Sequence, residues 1–333
     1  MIRSNFFAMR AVVCHELTGP SALRLMQVDD PRPRADQVLI RVRACGVNFA
    51  DSLITRGQYQ MQPQLPFSPG FEVAGEVLEL GAGVSKFAIG DRVIAMSAHG
   101  GYAEKVAADM NRCVPMPAGM SWEHAAAFPV VFGTSHVALW HRARLRSGET
   151  LVVHGASGGV GLTAVAIGKQ LGATVIATAN GPDKLAVAKA HGADHLLDAS
   201  QEDLRMRIKE LTGGRGADVI YEPIGGDMFA ASLRSIAFEG RILIIGFAGG
   251  VVPQIPANHL LVKNVDVIGV NWPAYAQLNP TVMTESFQTL IQWYLAGAIK
   301  PHVSAIYPLE QAVDALNQVL TRKSTGKVII TMS

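Results

Sequence analysis

The stretch VVHGASGGVGLTA, residues 152–164, runs from an apolar β-branched segment through a glycine-rich turn into a helical pattern. A doubly wound nucleotide-binding sheet has this order at its first crossover. Within it, Ala156-Ser157-Gly158-Gly159-Val160-Gly161 fits the dinucleotide fingerprint, with alanine in the first glycine place. Gly158 lets the backbone approach a pyrophosphate, and Gly161 lets the helix pack closely on the strand. The helix start adds free N–H groups and a partial positive charge. Ser157, Gly158, Gly159, Val160 and Gly161 are therefore the candidate phosphate-binding residues. A tight turn that binds nothing is the competing reading, and the surrounding pattern argues against it.

That pattern continues downstream. TVIATA (174–179), DHLLD (194–198), ADVIYEP (217–223), RILIIG (241–246) and VDVIGVN (265–271) read as strands, with helical segments between the earlier ones. Such alternation implies right-handed crossovers and a parallel sheet. Upstream the character differs: RAVVCHE (10–16), QVLIRVRACGV (37–47), FEVAGEVLEL (71–80) and DRVIAM (91–96) are short β-type runs separated by Gly- and Pro-rich turns. They predict a mainly antiparallel β domain. Beyond the last parallel strand, Val282, Met283, Phe287, Leu290, Ile291, Tyr294 and Leu295 share one face of a helix that Asn279-Pro280 starts and Gly297 stops. LEQAVDALNQVL is another helix, and KVIITM (327–332) reads as a closing strand that returns to the β-rich part. The expected division is an α/β fold of two domains. Residues 1–129 and 272–333 form the catalytic domain, and residues 130–271 form a doubly wound parallel Rossmann sheet.

Composition sets the outer limits. The 333 residues suit two cores, and Lys+Arg 29 against Asp+Glu 27 provides no basic field for nucleic acid. Apolar runs are too short to span a bilayer, the first residues lack a signal-peptide pattern, and the three scattered cysteines suit a reducing compartment. A cytoplasmic location is expected, with translation starting at Met1 or at Met9.

An NAD site usually carries Asp or Glu at the end of the second parallel strand, where it holds both ribose hydroxyls. Here that place reads Thr178-Ala179-Asn180-Gly181, and Lys184 follows one turn later. A lysine attracts the 2′-phosphate that a carboxylate repels. Asn180 and Lys184 are thus candidate contacts, and NADPH is the expected cofactor. Asp183 reads as a first-turn helix residue, and Lys184 as a solvated helix charge remains the plain alternative.

CGVNFADSLITRGQY, LPFSPGFEVAGEV, GDRVIAM, GGYAEKVAAD, HGASGGVG and TGKVII occur in this order over nearly the whole chain. Together they resemble the medium-chain dehydrogenase/reductase superfamily in its zinc-free quinone oxidoreductase branch, which includes zeta-crystallin. The resemblance implies a GroES-like catalytic domain beside the nucleotide domain. Zinc-dependent members place ligands in the patterns CGVC and GHE; this sequence has Asn48 and Phe71 at those places. Neutral Asn and Phe cannot supply the three or four donors that zinc needs, and Glu72 alone is no site. No metal is expected.

The resemblance also assigns roles. Asn48 falls beside the nicotinamide and substrate; its plain alternative is a buried turn asparagine. Tyr59 faces the substrate cleft as a hydrogen-bond or proton donor, against a tyrosine that only packs. Asp51 reads as an organiser of its loop rather than a proton carrier. Thr134 matches a threonine near the nicotinamide ribose, with a helix-start cap as the alternative. Phe247 docks the carboxamide through its backbone, and Arg322 reaches the NADP phosphate. Ala199 aligns where relatives often stack a tyrosine, which weakens the expected discrimination against NAD. The apolar strand near 265–271 is expected to pair across a two-fold axis in a homodimer.

Three functions stand at this point. The leading one is metal-free, NADPH-dependent reduction of a small quinone. The second is reduction of an activated C=C bond in an enone or enoyl thioester. The third, of another class, is a non-catalytic NADPH-binding structural or regulatory protein.

Overall fold

A computed structural model describes residues 8–332. The stretch ahead of Met9, on which the choice of start depends, lies outside the described residues except for Ala8. The chain divides into two compact units, one comprising Met1–Val130 with Pro301–Ser333, the other Val131–Lys300.

In the second unit six strands form one wholly parallel sheet. Their order is His195–Asp198, Thr174–Ala179, Thr150–Val153, Ala217–Glu222, Ile236–Ile244 and Asp266–Gly269. The order reverses between Thr150–Val153 and Ala217–Glu222, so the glycine-rich turn after Val153 lies at a topological switch point, where such sheets bind ligands. Near-continuous apolar strands are what a sheet covered on both faces requires. Val152, Ile176, Ile220 and Ile242 are buried against Phe229 and Leu233 of the helix Gly226–Ser235. Asp266–Gly269 closes the sheet as an edge strand, as the sequence pattern predicts.

In the first unit seven strands form a mainly antiparallel sheet, and a separate hairpin pairs Ala8–Cys14 with Leu23–Asp29. The long strand Gln37–Val47 is central to the sheet. It pairs with Glu72–Leu80, with Lys105–Asp109 and with the closing strand Lys327–Thr331. Val328 stands opposite Val47 and Ile330 opposite Cys45, so the chain does return to its first domain.

The second crossing between units falls at residue 300, later than the 271 expected from sequence. The reason is burial. The helix Pro280–Leu295 buries Val282, Met283, Phe287 and Leu290, and its partners lie in the nucleotide unit. Ser286 Oγ lies 2.9 Å from His136 Nδ1. The Trp272 indole covers Gly133, where a Cβ would come within 2.5 Å of the ring. The helix Pro129–His136 then continues as a π-helical turn, Val137–Arg142, which no sequence pattern indicated. Gly133→Ala is expected to destabilise the protein by about 1–3 kcal/mol through overpacking against Trp272. Urea denaturation measures this, and an unchanged midpoint would show that the indole seat does not hold residues 272–300 in place.

Candidate active site

The phosphate-type turn is built as the sequence predicts. The helix Gly159–Gln170 starts at an N-cap, Gly158, that has no side chain to satisfy the first N–H groups. These groups have no carbonyl one turn earlier in the helix, so they are available to an anion. A Cβ on Gly161 would lie 2.1 Å from the Gly155 carbonyl, which makes glycine obligatory there. A Cβ on Gly158 would meet nothing closer than 3.5 Å, which leaves its approach side open. The residues present therefore fit a dinucleotide pyrophosphate.

Buried polar networks fix this turn. Ser135 Oγ bonds the Val160 carbonyl at 2.9 Å, Thr163 Oγ1 at 2.8 Å and the Tyr221 hydroxyl at 2.9 Å. His154, directly before the turn, contacts Thr178 Oγ1 at 2.9 Å and Ser232 Oγ at 3.1 Å. Burial lowers the His154 pKa to about 3, so the imidazole is neutral. Ser232 in turn reaches Glu222, whose carboxylate accepts from Ile224 N at 2.7 Å and Gly225 N at 3.0 Å. The turn and the next loop along the sheet are thus joined through one chain of hydrogen bonds.

Asn180 is exposed just beyond the strand Thr174–Ala179, and Lys184 occupies the first turn of the helix Pro182–Ala190. The carboxylate that is absent from residues 178–181 is supplied in space by the next strand. Asp198 accepts from Gly181 N at 3.2 Å and from Ser200 N at 3.0 Å. Bonds from Ser200, side chain then backbone, hold its pKa below the usual value. Thr134 is half-buried inside the helix Pro129–His136, so it is not a helix-start cap. Phe247 follows the strand Ile236–Ile244, and its carbonyl accepts from Gly250 N at 2.8 Å.

Asn48, Tyr59 and Arg322 belong to the first unit. Arg322 lies just past the helix Ala312–Leu320 in a left-handed conformation, φ 56. Asn48 lies at the head of the helix Phe49–Ile54 and at the centre of a buried network. Its Nδ2 donates to Glu72 Oε1 at 2.8 Å and to the Gly46 carbonyl at 3.3 Å. Its Oδ1 accepts from Lys327 Nζ at 2.9 Å, and Lys327 also donates to Glu72 Oε1 at 2.7 Å and to the Val47 carbonyl at 2.8 Å. Glu72 Oε2 accepts from Val130 N at 2.8 Å. Lys327 is 4% exposed and Glu72 is 0% exposed, so this is a buried ion pair. Gly46 makes room for it, since a Cβ there would lie 2.5 Å from the Glu72 carboxylate. Gly326, at φ 59, turns the backbone immediately before Lys327. Sequence reading missed Lys327; the available signal was a lone cation heading the apolar run VIIT.

Asp51 organises the same loop, as the sequence reading held. Its carboxylate accepts from Asn48 N at 2.7 Å, Gly70 N at 3.0 Å and the Tyr102 hydroxyl at 3.0 Å. Burial outweighs these donors and raises its pKa to about 7. Tyr59 is half-buried, with its ring 5.2 Å from that of Phe71. Burial, and then the Asp51 charge, raise the Tyr59 pKa, which keeps the phenol protonated. Among the described residues, no group of three or more His, Cys, Asp and Glu is placed to hold a metal ion. At the positions where the resemblance puts zinc ligands stand a neutral amide and the Phe71 ring, while Glu72 is already engaged by three donors. This donor set does not fit zinc.

Comparison with known proteins agrees with the fold and with these motifs. The family model described as an alcohol dehydrogenase GroES-like domain matches residues 34–118, and the zinc-binding dehydrogenase model matches residues 159–295. The chain is 42% identical over 325 residues to quinone oxidoreductase-like protein 2 of Rattus norvegicus, covering 97% of this chain and 92% of that protein. It superposes on the Escherichia coli quinone oxidoreductase complexed with NADPH with TM-score 0.90 and 30% identity, over 97% of this chain and 99% of the other. It also superposes on the CurK enoyl reductase with TM-score 0.88 and 26% identity, over 98% and 99% of the two chains. The chain is an oxidoreductase and belongs to the medium-chain dehydrogenase/reductase superfamily, in its quinone oxidoreductase branch.

The Asp51 environment has a consequence for stability. Its folded pKa of about 7 exceeds the ordinary 3.8, so the folded chain keeps a proton that the unfolded chain has released. The contribution is full below the unfolded pKa and is lost as pH rises towards 7. Asp51→Asn, which has no proton to lose, should show a smaller fall in Tm between pH 4 and 7 than the native protein, even though it melts lower throughout. Parallel slopes in thermal melts across that range would show that Asp51 does not titrate there.

Proposed function

We propose that this protein reduces quinones with NADPH, without a metal, by hydride transfer from the nicotinamide. The observation that carries the reading is the open, uncapped dinucleotide turn of the second unit; in the first unit Asn48, at a place where the resemblance puts a zinc ligand, is instead bonded to Lys327 and Glu72. The NADPH complex of the Escherichia coli relative supports the cofactor assignment. Bound NADPH would supply two electrons and one proton as hydride, and a second proton must reach the acceptor to complete the hydroquinone.

The chain's own residues would then act as follows. Ser157, Gly158, Gly159, Val160 and Gly161 hold the pyrophosphate at the helix start. Asn180 and Lys184 would contact the adenosine end, with Lys184 and, on the resemblance alone, Arg322 supplying positive charge for the 2′-phosphate. Thr134 and the Phe247 backbone hold the nicotinamide half. Tyr59 Oη, kept protonated by burial, donates to the acceptor oxygen as charge develops there. All three Lys327 N–H groups are already committed, so this ammonium has no donor left to stabilise a localised alkoxide. That favours acceptors that delocalise the incoming charge, such as quinones and enones. Asp198, beside Gly181, lowers the expected preference for NADPH over NADH.

Reduction of an activated C=C bond is the second reading, supported by the likeness to an enoyl reductase. An assay of 1,4-benzoquinone, 9,10-phenanthrenequinone, enones and crotonyl-CoA, each with NADPH and NADH, separates the two. Turnover of quinones with kcat/KM higher for NADPH is expected, with Tyr59→Phe lowering kcat about 100-fold. Preference for crotonyl-CoA over every quinone would establish the second reading, and a requirement for added zinc would overturn the metal-free mechanism.

The homodimer is part of the same proposal. Among the described residues, Asp266–Gly269 leaves one edge of the parallel sheet unpaired, and Leu261 and Val262 on the preceding helix are 78% and 73% exposed. Pairing two such edges extends the sheet across a two-fold axis. A cytoplasmic location is proposed with it, on the ground that Cys14, Cys45 and Cys113 are all free. Sedimentation at micromolar concentration should give twice the chain mass; a species of one chain mass would overturn the dimer.

A further inference from the structure

We infer that Asp198 is a specificity-determining residue of the dinucleotide site. Its second carboxylate oxygen, Oδ2, accepts the 2′-hydroxyl of the adenosine ribose, so that the site takes NADH as a working cofactor beside NADPH. The inference rests on the reading of residues 157–161 as a dinucleotide turn, and every residue it uses lies in the second unit.

The sheet itself puts Asp198 in place. The strand His195–Asp198 runs parallel to Thr174–Ala179 with Asp198 opposite Ala179, so its carboxylate stands level with the end of that neighbour. A dinucleotide seated on the turn after Thr150–Val153 carries its adenosine ribose to the end of the next strand in the chain, which is Thr174–Ala179. The backbone leaves room there. Gly181 has φ 84, and a Cβ on it would meet nothing within 4 Å. The carboxylate that NAD sites place at residues 178–181 thus arrives from the adjacent strand.

Which oxygen is already used decides what Asp198 can do. Oδ1 accepts from Gly181 N at 3.2 Å, from Ser200 N at 3.0 Å and from Ser200 Oγ at 2.6 Å. Among the described residues, none donates to Oδ2. Three bonds to one oxygen fix the group and leave the other as a preset acceptor. The same bonds, those from Ser200 first, hold the pKa below its ordinary value, so the group is an anion at neutral pH. A carboxylate has lone pairs and no N–H. It accepts a ribose hydroxyl strongly, whereas a 2′-phosphate finds no donor on it and meets a like charge. Lys184, in the first turn of the helix Pro182–Ala190, pulls the other way. With the two charges opposed, the site discriminates weakly between the two cofactors.

Titration calorimetry with ADP-ribose and its analogues tests this, because these fragments lack the nicotinamide and need no turnover. With the native protein, removing the adenosine 2′-hydroxyl should weaken binding at least about 5-fold, as expected for a lost bond to a charged group. 2′-Phospho-ADP-ribose should bind within about 10-fold of ADP-ribose, the opposed charges nearly cancelling. Equal binding with and without the hydroxyl, or a wider gap in favour of the phosphate, overturns the inference.

Asp198→Asn supplies the second arm. Gly181 N and the Ser200 donors keep the amide oxygen at the Oδ1 place, which puts amide N–H groups where Oδ2 was. The variant should gain at least about 10-fold in affinity for 2′-phospho-ADP-ribose, through a lost repulsion and a new donor. It should gain none for ADP-ribose. An equal change for both fragments would mean that Asp198 only shapes its loop, and would overturn the inference. Should the variant not fold, the native comparison decides alone. If no fragment binds the native protein, the dinucleotide reading falls too; if all bind alike, that reading stands and only the role of Asp198 falls.

Discussion

The buried pair of Lys327 with Glu72 is the constraint on which the first unit depends. Taking two opposite charges out of water costs several kcal/mol for each ion, and the cost is recovered only when geometry and additional hydrogen bonds are nearly complete. Here they are complete. Every N–H of the ammonium has an acceptor, and both carboxylate oxygens have donors. The residues that satisfy them come from three strands and a helix start: Val47 and Asn48 at the end of the central strand, Glu72 at the head of its neighbour, Lys327 at the head of the closing strand, and Val130 in a helical first turn. Gly46 and Gly326 are needed to bring these parts together, one by leaving space and the other by turning the chain.

A fixed ammonium differs from a bound metal ion in a way that shapes chemistry. A metal ion held by three side chains keeps a place open for substrate, and an open place is a Lewis-acid site. An ammonium with three hydrogen bonds has none. It sets the electrostatic potential and orients its neighbours, but it does not bind the reacting atom. The nucleotide unit follows the same logic with neutral groups. Around Ser135 and His154, hydroxyls, a neutral imidazole and a buried carboxylate are bonded to one another, which leaves the uncapped helix start at Gly158 as the unsatisfied donor surface.

Much of this architecture was legible in the sequence because its signals are local. Apolar runs bounded by turns mark the strands, the 3.6-residue period marks the helix Pro280–Leu295, and the turn at 155–161 carries its own glycines. What escaped is non-local or depends on packing. Lys327 and Glu72 are separated by 255 positions, and no period connects them. Asp198 reaches Gly181 only because parallel strands place it there. The same holds for residues 272–300. Their amphipathic helix announces a buried face but not what buries it, and the answer lay with Gly133 and His136. Asn48 and Tyr59 were singled out through the likeness to a family, and the bonds that Asn48 makes became readable only when its donors and acceptors could be counted.

Synthesis runs in one direction, and this gives the closing strand a temporal meaning. Val47 is bonded by a residue 280 positions downstream. A nascent chain holding residues 8–300 has already made every strand of the parallel sheet, yet it still lacks the cation that Glu72 is built to meet. Until that lysine emerges, Glu72 has no cation beside it, and the β-rich unit keeps an open seam along its central strand. Loop-closure entropy grows only slowly with length, so the distance itself is cheap. The delay is what matters, since an unpaired strand edge exposed for that interval is an invitation to the wrong partner.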